Sequence, residues 1–143
     1  LFREAINSYN QALKLRVDYA EAYNNLGVSL TEIDCLDEAI EAYTKAINLK
    51  ANYEDAYYNL GNTFLKKGDQ EKALESYIKT LQLNPNYAKA LVTAGQIFGN
   101  QGEAIAAISA YKKAIQLDTS SPEPSFPDGI LLIKTFLKPE LSI

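Results

Sequence analysis

The sequence predicts an all-α fold, a right-handed α-solenoid of antiparallel helical hairpins, and three observations predict it. Similar residues return every 34 positions: Tyr23 with Tyr57, Asn25 with Asn59, Gly27 with Gly61 and Gly95, Ala39 with Ala73 and Ala107, Tyr43 with Tyr77 and Tyr111. Within each period the apolar residues recur at helical spacing in two stretches, as in Ala56, Tyr57, Leu60 and Phe64 followed by Ala73, Leu74, Tyr77 and Leu81. Turn-forming residues separate the stretches, at Gly68-Asp69 and Gly102 inside hairpins and at Asn84-Pro85-Asn86 between them. A period of this length marks stacked units, none of which can bury its apolar faces alone.

The elements follow in order. Residues 1–19 hold the second helix of a truncated hairpin, expected over 2–15, with Ala5, Tyr9, Ala12 and Leu15 in register with the later second helices. Three full units then span 20–53, 54–87 and 88–121, with helices expected at 20–33 and 36–49, at 54–67 and 70–83, and at 88–100 and 103–116. Asp18, Asn52 and Asn86 stand one period apart as expected N-caps, with Glu21 and Asp55 three residues on to complete a capping box. Glycine inside a helix costs roughly 1 kcal/mol against alanine. The recurrent Gly27, Gly61 and Gly95 are therefore expected to mark close helix approach onto Ala39, Ala73 and Ala107, with Tyr23, Leu26, Tyr43 and Leu49 filling the flanks. Tyr9, Tyr19, Tyr43, Tyr53, Tyr77, Tyr87 and Tyr111 are expected in the core or between units.

Residues 122–143 leave the pattern, because Pro122, Pro124 and Pro127 bar a helix where the next hairpin would open. The apolar stretch 130–137 beyond them is expected to fold over the last hairpin as a capping segment, or to dock on another subunit. Because the chain opens at Leu1 inside an expected helix, it is expected to be part of a longer protein or a piece excised from one.

Composition narrows the chemistry. With 143 residues, the chain is one domain's length. Its 14 Lys+Arg against 18 Asp+Glu give a charge of −4, which repels phosphate backbones, so no nucleic-acid partner is expected. The longest apolar run, Ile130 to Ile133, falls far short of the ~20 residues of a membrane span, so a soluble, cytoplasmic protein with no membrane partner is expected. No histidine and one cysteine remove the usual metal ligand, the usual general base and any internal disulfide, so no metal, no cofactor and no enzymatic activity are expected. Cys35 stands between Asp34 and Asp37 with no adjacent cation to stabilise a thiolate, and is not read as a nucleophile.

These residues resemble the tetratricopeptide repeat (TPR) family. The second unit carries the pattern most fully, in Ala56-Tyr57-Tyr58-Asn59-Leu60-Gly61-Asn62, Phe64, Gly68-Asp69, Ala73, Tyr77, Leu83 and Pro85, and the resemblance covers residues 1 to about 120. Asp34 in place of a turn glycine, Thr80 in place of a small apolar residue, Leu91 and Ala94 in place of Tyr/Trp and Leu, and Thr119 in a proline slot depart from it. The resemblance implies a non-enzymatic protein-protein interaction scaffold that binds a peptide or partner segment in a concave groove lined by the first helix of each hairpin. Here that groove is expected at Glu21, Asn24, Asn25, Val28, Asp55, Tyr58, Asn59, Asn62, Lys89, Val92, Thr93 and Gln96. Asn25 and Asn59, with Thr93 as a weaker third rung, would either pair with the backbone of an extended ligand or line a solvated groove. Tyr58 would either serve as an aromatic anchor or pack along its neighbour's helix.

Relatives that hold the C-terminal carboxylate of heat-shock chaperones use Lys and Asn in the first unit, Asn in the second, and Lys and Arg in the third. Asn59 and Lys89 match, whereas Asn24, Val28 and Thr93 stand where Lys, Asn and Arg are needed, so chaperone C-terminal tails are not expected as partners. Two other readings are the substrate-recruiting arm of a larger enzyme, such as an O-GlcNAc-type glycosyltransferase, and an end-to-end self-assembling scaffold. The second would use the N-terminal helix, whose Phe2, Ile6, Tyr9 and Leu13 lack a hairpin partner.

Overall fold

The two-stretch periodicity becomes seven α-helices among the described residues: α1 (Phe2–Leu15), α2 (Ala20–Glu32), α3 (Leu36–Leu49), α4 (Glu54–Lys67), α5 (Gln70–Leu83), α6 (Ala88–Asn100) and α7 (Ala104–Thr119). This is an all-α repeat fold. The computed structural model describes residues 1–15 and 19–119, the side chains of 12–15 excepted. The expected cap Asp18, the side chain of Leu13 and the segment 122–143 lie outside the described residues. The last helix runs three residues past its expected end, and the Thr119 hydroxyl donates to the Gln116 carbonyl at 3.0 Å in that added turn.

Two compact units divide the chain, Leu1–Pro85 and Asn86–Ile143. In the first, α1 packs on α2, α2 on α3, α3 on α4 and α4 on α5, and α2 also touches α4. Its core joins Ala22, Tyr23, Leu26 and Leu30 of α2 to Ala39, Ala42, Tyr43 and Ala46 of α3, and Ile6 and Tyr9 of α1 pack against it. Ile6 and Tyr9 on the apolar face of α1 are thus half-buried, and Phe2 at its start remains 40% exposed. In the second unit α6 packs on α7, burying Ala90, Leu91, Ala94 and Ile97 against Ala107 and Ala114.

At each recurrent glycine the atoms that a β-carbon would meet first belong to a tyrosine ring of the following helix. A β-carbon on Gly27 would lie 2.6 Å from the Tyr43 ring, one on Gly61 2.7 Å from the Tyr77 ring, and one on Gly95 3.0 Å from the Tyr111 ring. Each glycine leaves the space that a tyrosine ring sixteen residues later occupies. Leu49 and Tyr19, expected in the packing, are exposed, Leu49 as the last residue of α3 and Tyr19 just before the start of α2.

The turns inside the hairpins share one geometry. Asp34, Gly68 and Gly102 adopt positive φ, and after each the chain closes the same pair of bonds, Cys35 N to Leu30 O and Asp34 N to Thr31 O in the first hairpin. At helix starts the expectation fails: Tyr53 and Tyr87, not Asn52 and Asn86 before them, hold the N-cap positions, as Tyr19 does for α2, and none of the three forms a side-chain cap bond. The reason is that the Tyr53 and Tyr87 carbonyls accept the first helical bonds, from Tyr57 N and Leu91 N. Asp69 is a true side-chain cap, accepting from Lys72 N at 3.1 Å.

Candidate functional site

Of the twelve residues expected to face a ligand, eight lie on α2 and α4 in the first unit and four on α6 in the second. On α2 and α4, Glu21, Asn25, Val28 and Asp55 are exposed, while Tyr58, Asn59 and Asn62 are half-buried. Asn24 is the exception. It is only 7% exposed, because it turns towards α4, where its Oδ1 accepts a hydrogen bond from Asn59 Nδ2 at 3.2 Å. The two expected rungs therefore differ: Asn25 projects outward, and Asn59 is held from behind by Asn24, keeping its oxygen and its other amide hydrogen.

That bond belongs to a polar seam between α2 and α4 that pattern reading missed. Thr31 Oγ1 and Thr63 Oγ1 share a hydrogen bond of 2.9 Å, both near the Tyr43 hydroxyl, and Lys66 Nζ donates to the Thr31 carbonyl at 3.0 Å. The partners are separated by 32 to 35 residues, close to one period, so pairing polar positions a period apart was the available signal. Tyr53 closes the seam at its other end. Burial raises its hydroxyl pKa first, the carboxylates of Glu21 and Asp55 raise it further, and a hydrogen bond with Asn24 opposes them. Both acidic residues of the expected groove thus bear electrostatically on the same phenol.

Asn62 and Tyr58 are also engaged. The Tyr77 hydroxyl donates to Asn62 Oδ1 at 2.6 Å, so this asparagine locks a buried tyrosine. The Tyr58 ring lies 5.7 Å from that of Tyr77, tilted by 47°. Burial, and then the Tyr58 phenol, push the Tyr77 hydroxyl above the ordinary phenol range. On α6, Lys89 and Gln96 are exposed and Val92 and Thr93 half-buried, with the Thr93 hydroxyl donating to the Lys89 carbonyl at 2.7 Å. A threonine bonded to its own helix is a poor third rung.

Among the described residues no group of three or more metal-ligating side chains gathers, and no helix is long and apolar enough to cross a membrane. Cys35 is half-buried at the start of α3.

Family models described as tetratricopeptide repeats match residues 54–87 and 88–121, and one described as a TPR repeat matches 2–33 and 35–68. No curated protein matches the chain. A crystal structure of MamA is similar at 34% identity and a TM-score of 0.80, the match covering 84% of this chain and 70% of that one. A second MamA structure aligns at 32% identity and a TM-score of 0.76, covering 89% and 71%. A MamA RS-1 ArsTM double mutant, at 22% identity and a TM-score of 0.77 over 85% and 68%, shares the fold. With matched repeats running almost end to end and the glycine-tyrosine packing returning in each, the chain belongs to the tetratricopeptide repeat family.

Proposed function

We propose that this protein is a non-catalytic interaction scaffold that holds an extended peptide across α2 and α4, with Asn25 and Asn59 pairing with its backbone. The tetratricopeptide repeats and the likeness to MamA support a protein-interaction scaffold in general terms. The observation that carries the finer reading is the 3.2 Å bond from Asn59 Nδ2 to Asn24 Oδ1. An amide fixed in this way has already lost rotamer freedom, so bonding a ligand costs it less entropy than an unrestrained side chain would lose. The remaining oxygen and N–H of Asn59 match the acceptor and donor that every peptide backbone presents. Glu21 and Asp55 at the starts of the same helices favour a peptide with a basic residue at that end.

The test is to select binders from a random peptide library with the whole chain, then measure their affinities by calorimetry for wild type, Asn25→Ala, Asn59→Ala and Asn24→Ala. Weakening of about tenfold or more is expected for Asn25→Ala and Asn59→Ala, the loss of one to two hydrogen bonds. A smaller loss is expected for Asn24→Ala, which touches no ligand but frees Asn59. Binders indifferent to all three substitutions would refute the backbone pairing, and failure to select any peptide would refute the peptide reading.

A further inference from the structure

An open cleft of about 150 Å³ lies between α1 and α3. Tyr23, Leu26 and Leu30 of α2, all buried, line it together with the half-buried Ile6 of α1. Glu38 and Glu41 of α3 complete the lining on the solvent side, and both are exposed. Three residues apart on one helix, they stand on the same face. Among the described residues neither carboxylate takes part in a salt bridge. Lys45 also lines the cleft, but its Nζ lies over the Tyr23 ring, 5.6 Å from the centroid. The cleft thus joins an apolar wall to a carboxylate rim.

One period on, the chain itself shows what this arrangement accepts. Tyr23, Leu26, Glu41 and Lys45 return as Tyr57, Leu60, Glu75 and Lys79, so the frame is the same. Two positions change: Leu30 returns as Phe64, and Glu38 as Lys72. There the Lys72 ammonium lies over the Phe64 ring, 5.7 Å from its centroid. In that hairpin the chain supplies both a larger apolar group and a cation. In the hairpin of α2 and α3 it supplies a smaller apolar group, and a carboxylate stands in the cation's place.

We propose that this cleft takes the side chain of a lysine on a partner protein, its methylenes against Leu26 and Leu30 and its ammonium on Glu38 and Glu41. A lysine lays its stem along apolar surface while its head stays in water, which matches a buried wall and an exposed acidic rim. The ammonium gains charge-assisted hydrogen bonds from both carboxylates. Because Lys45 covers Tyr23, the guest lies at the Leu30 end. One side chain covers too little surface to bind tightly alone, so the cleft is one anchor of a larger contact. It lies between α1 and α3, apart from the groove of α2 and α4, and the two readings stand or fall separately.

The test follows the amide NMR spectrum of the full chain during titration to about 20 mM with lysine blocked as its Nα-acetyl methylamide, and with blocked norleucine, which has a similar stem and no ammonium. Saturable shifts are expected around Glu38 and Glu41 with lysine, with norleucine binding about fivefold weaker or less. Glu38→Gln is expected to weaken lysine binding about threefold, and Glu38→Lys, which copies the place of Lys72, about tenfold. Position 38 is exposed, so neither substitution disturbs the core. Glu75→Gln, at the counterpart of Glu41, is the control and is expected to change nothing. Absence of shifts around Glu38 and Glu41, equal binding of norleucine, shifts confined to Asn25 and Asn59, or indifference to Glu38→Lys would each overturn the proposal.

Discussion

The Tyr77 ring lies so close over Gly61 that a β-carbon there would meet its Cε1 at 2.7 Å, while the hydroxyl of the same tyrosine is bonded to Asn62, the next residue of α4. The ring is fully buried, and with both its face and its oxygen held it has no room to withdraw. A glycine that would weaken an isolated helix is here the residue that lets two helices close on an aromatic side chain.

Substitution of these glycines should follow the clearance. Gly27→Ala and Gly61→Ala are expected to destabilise by about 1–3 kcal/mol from overpacking, even after the gain in helix propensity. Gly95→Ala, with 3.0 Å to Tyr111, should cost less. Gly99, on the same helix as Gly95 but with nothing within 4 Å of its virtual β-carbon, should stabilise when changed to Ala, by up to about 1 kcal/mol. Urea denaturation of the four variants checks the order, and equal effects at Gly61 and Gly99 would contradict it.

Asp34 holds a left-handed turn, at φ 67°, that Gly68 and Gly102 hold elsewhere. Asp34→Gly is expected to stabilise the first unit by about 0.5–1 kcal/mol through relief of this conformation, and Gly68→Ala to destabilise it by a similar amount. The ion pair lost in Asp34→Gly, 4.0 Å long and exposed on both sides, is too weak to reverse the sign. Thermal unfolding monitored by circular dichroism reads both shifts.

Removal of one hydroxyl tests the Tyr77 lock. Tyr77→Phe keeps the ring over Gly61 and leaves Asn62 unbonded at that oxygen, for an expected loss of about 1 kcal/mol. Combining it with Asn62→Ala should add little to Asn62→Ala alone, because both remove the same bond. Strict additivity in the double-mutant cycle would deny the coupling.

Alkaline pH should unfold the protein. Burial raises the pKa of Tyr43, Tyr53, Tyr77 and Tyr111 above the ordinary phenol value of about 10, so the folded state favours their neutral form. Their contribution is complete below the unfolded value near 10 and is lost as pH climbs from there through the raised folded values. Stability measured in urea is therefore expected to hold level from neutrality to about pH 9 and to fall above pH 10, with phenolate absorbance appearing as the helices melt. Phenolate formation by all ten tyrosines in the intact fold near pH 10 would rule this out.

An acidic peptide ending in a free carboxylate, of the kind that heat-shock chaperones carry, should bind no tighter than about 1 mM in calorimetry. The position that needs a lysine holds Asn24, which is buried, and the position that needs an arginine holds Thr93, whose hydroxyl is bonded to its own helix.

Helix number and extent were legible because spacing along a helix is a local property. Apolar residues at three- and four-residue intervals define a buried stripe wherever the helix comes to rest, and the hairpin turns followed from Gly68, Gly102 and the Asp34 that replaces a third glycine. The N-caps were misread by one residue, since the asparagines are good caps by type but the backbone begins its helical bonds at the tyrosines. At the recurrent glycines, which side chain lies nearest was decided by reach, and it is the tyrosine sixteen residues on.

The order of the helices, their approximate length and most of the core were determined by the sequence alone, because a repeated covalent pattern dictates a repeated burial pattern. Which of two adjacent asparagines turns inward was decided only when α4 came to lie beside α2. Asn24 and Asn25 are chemically identical, and a step of one residue around the helix places the first against Asn59 and leaves the second in solvent. Contacts between residues a full period apart depend on how the units stack, and that stacking is a property of the folded chain.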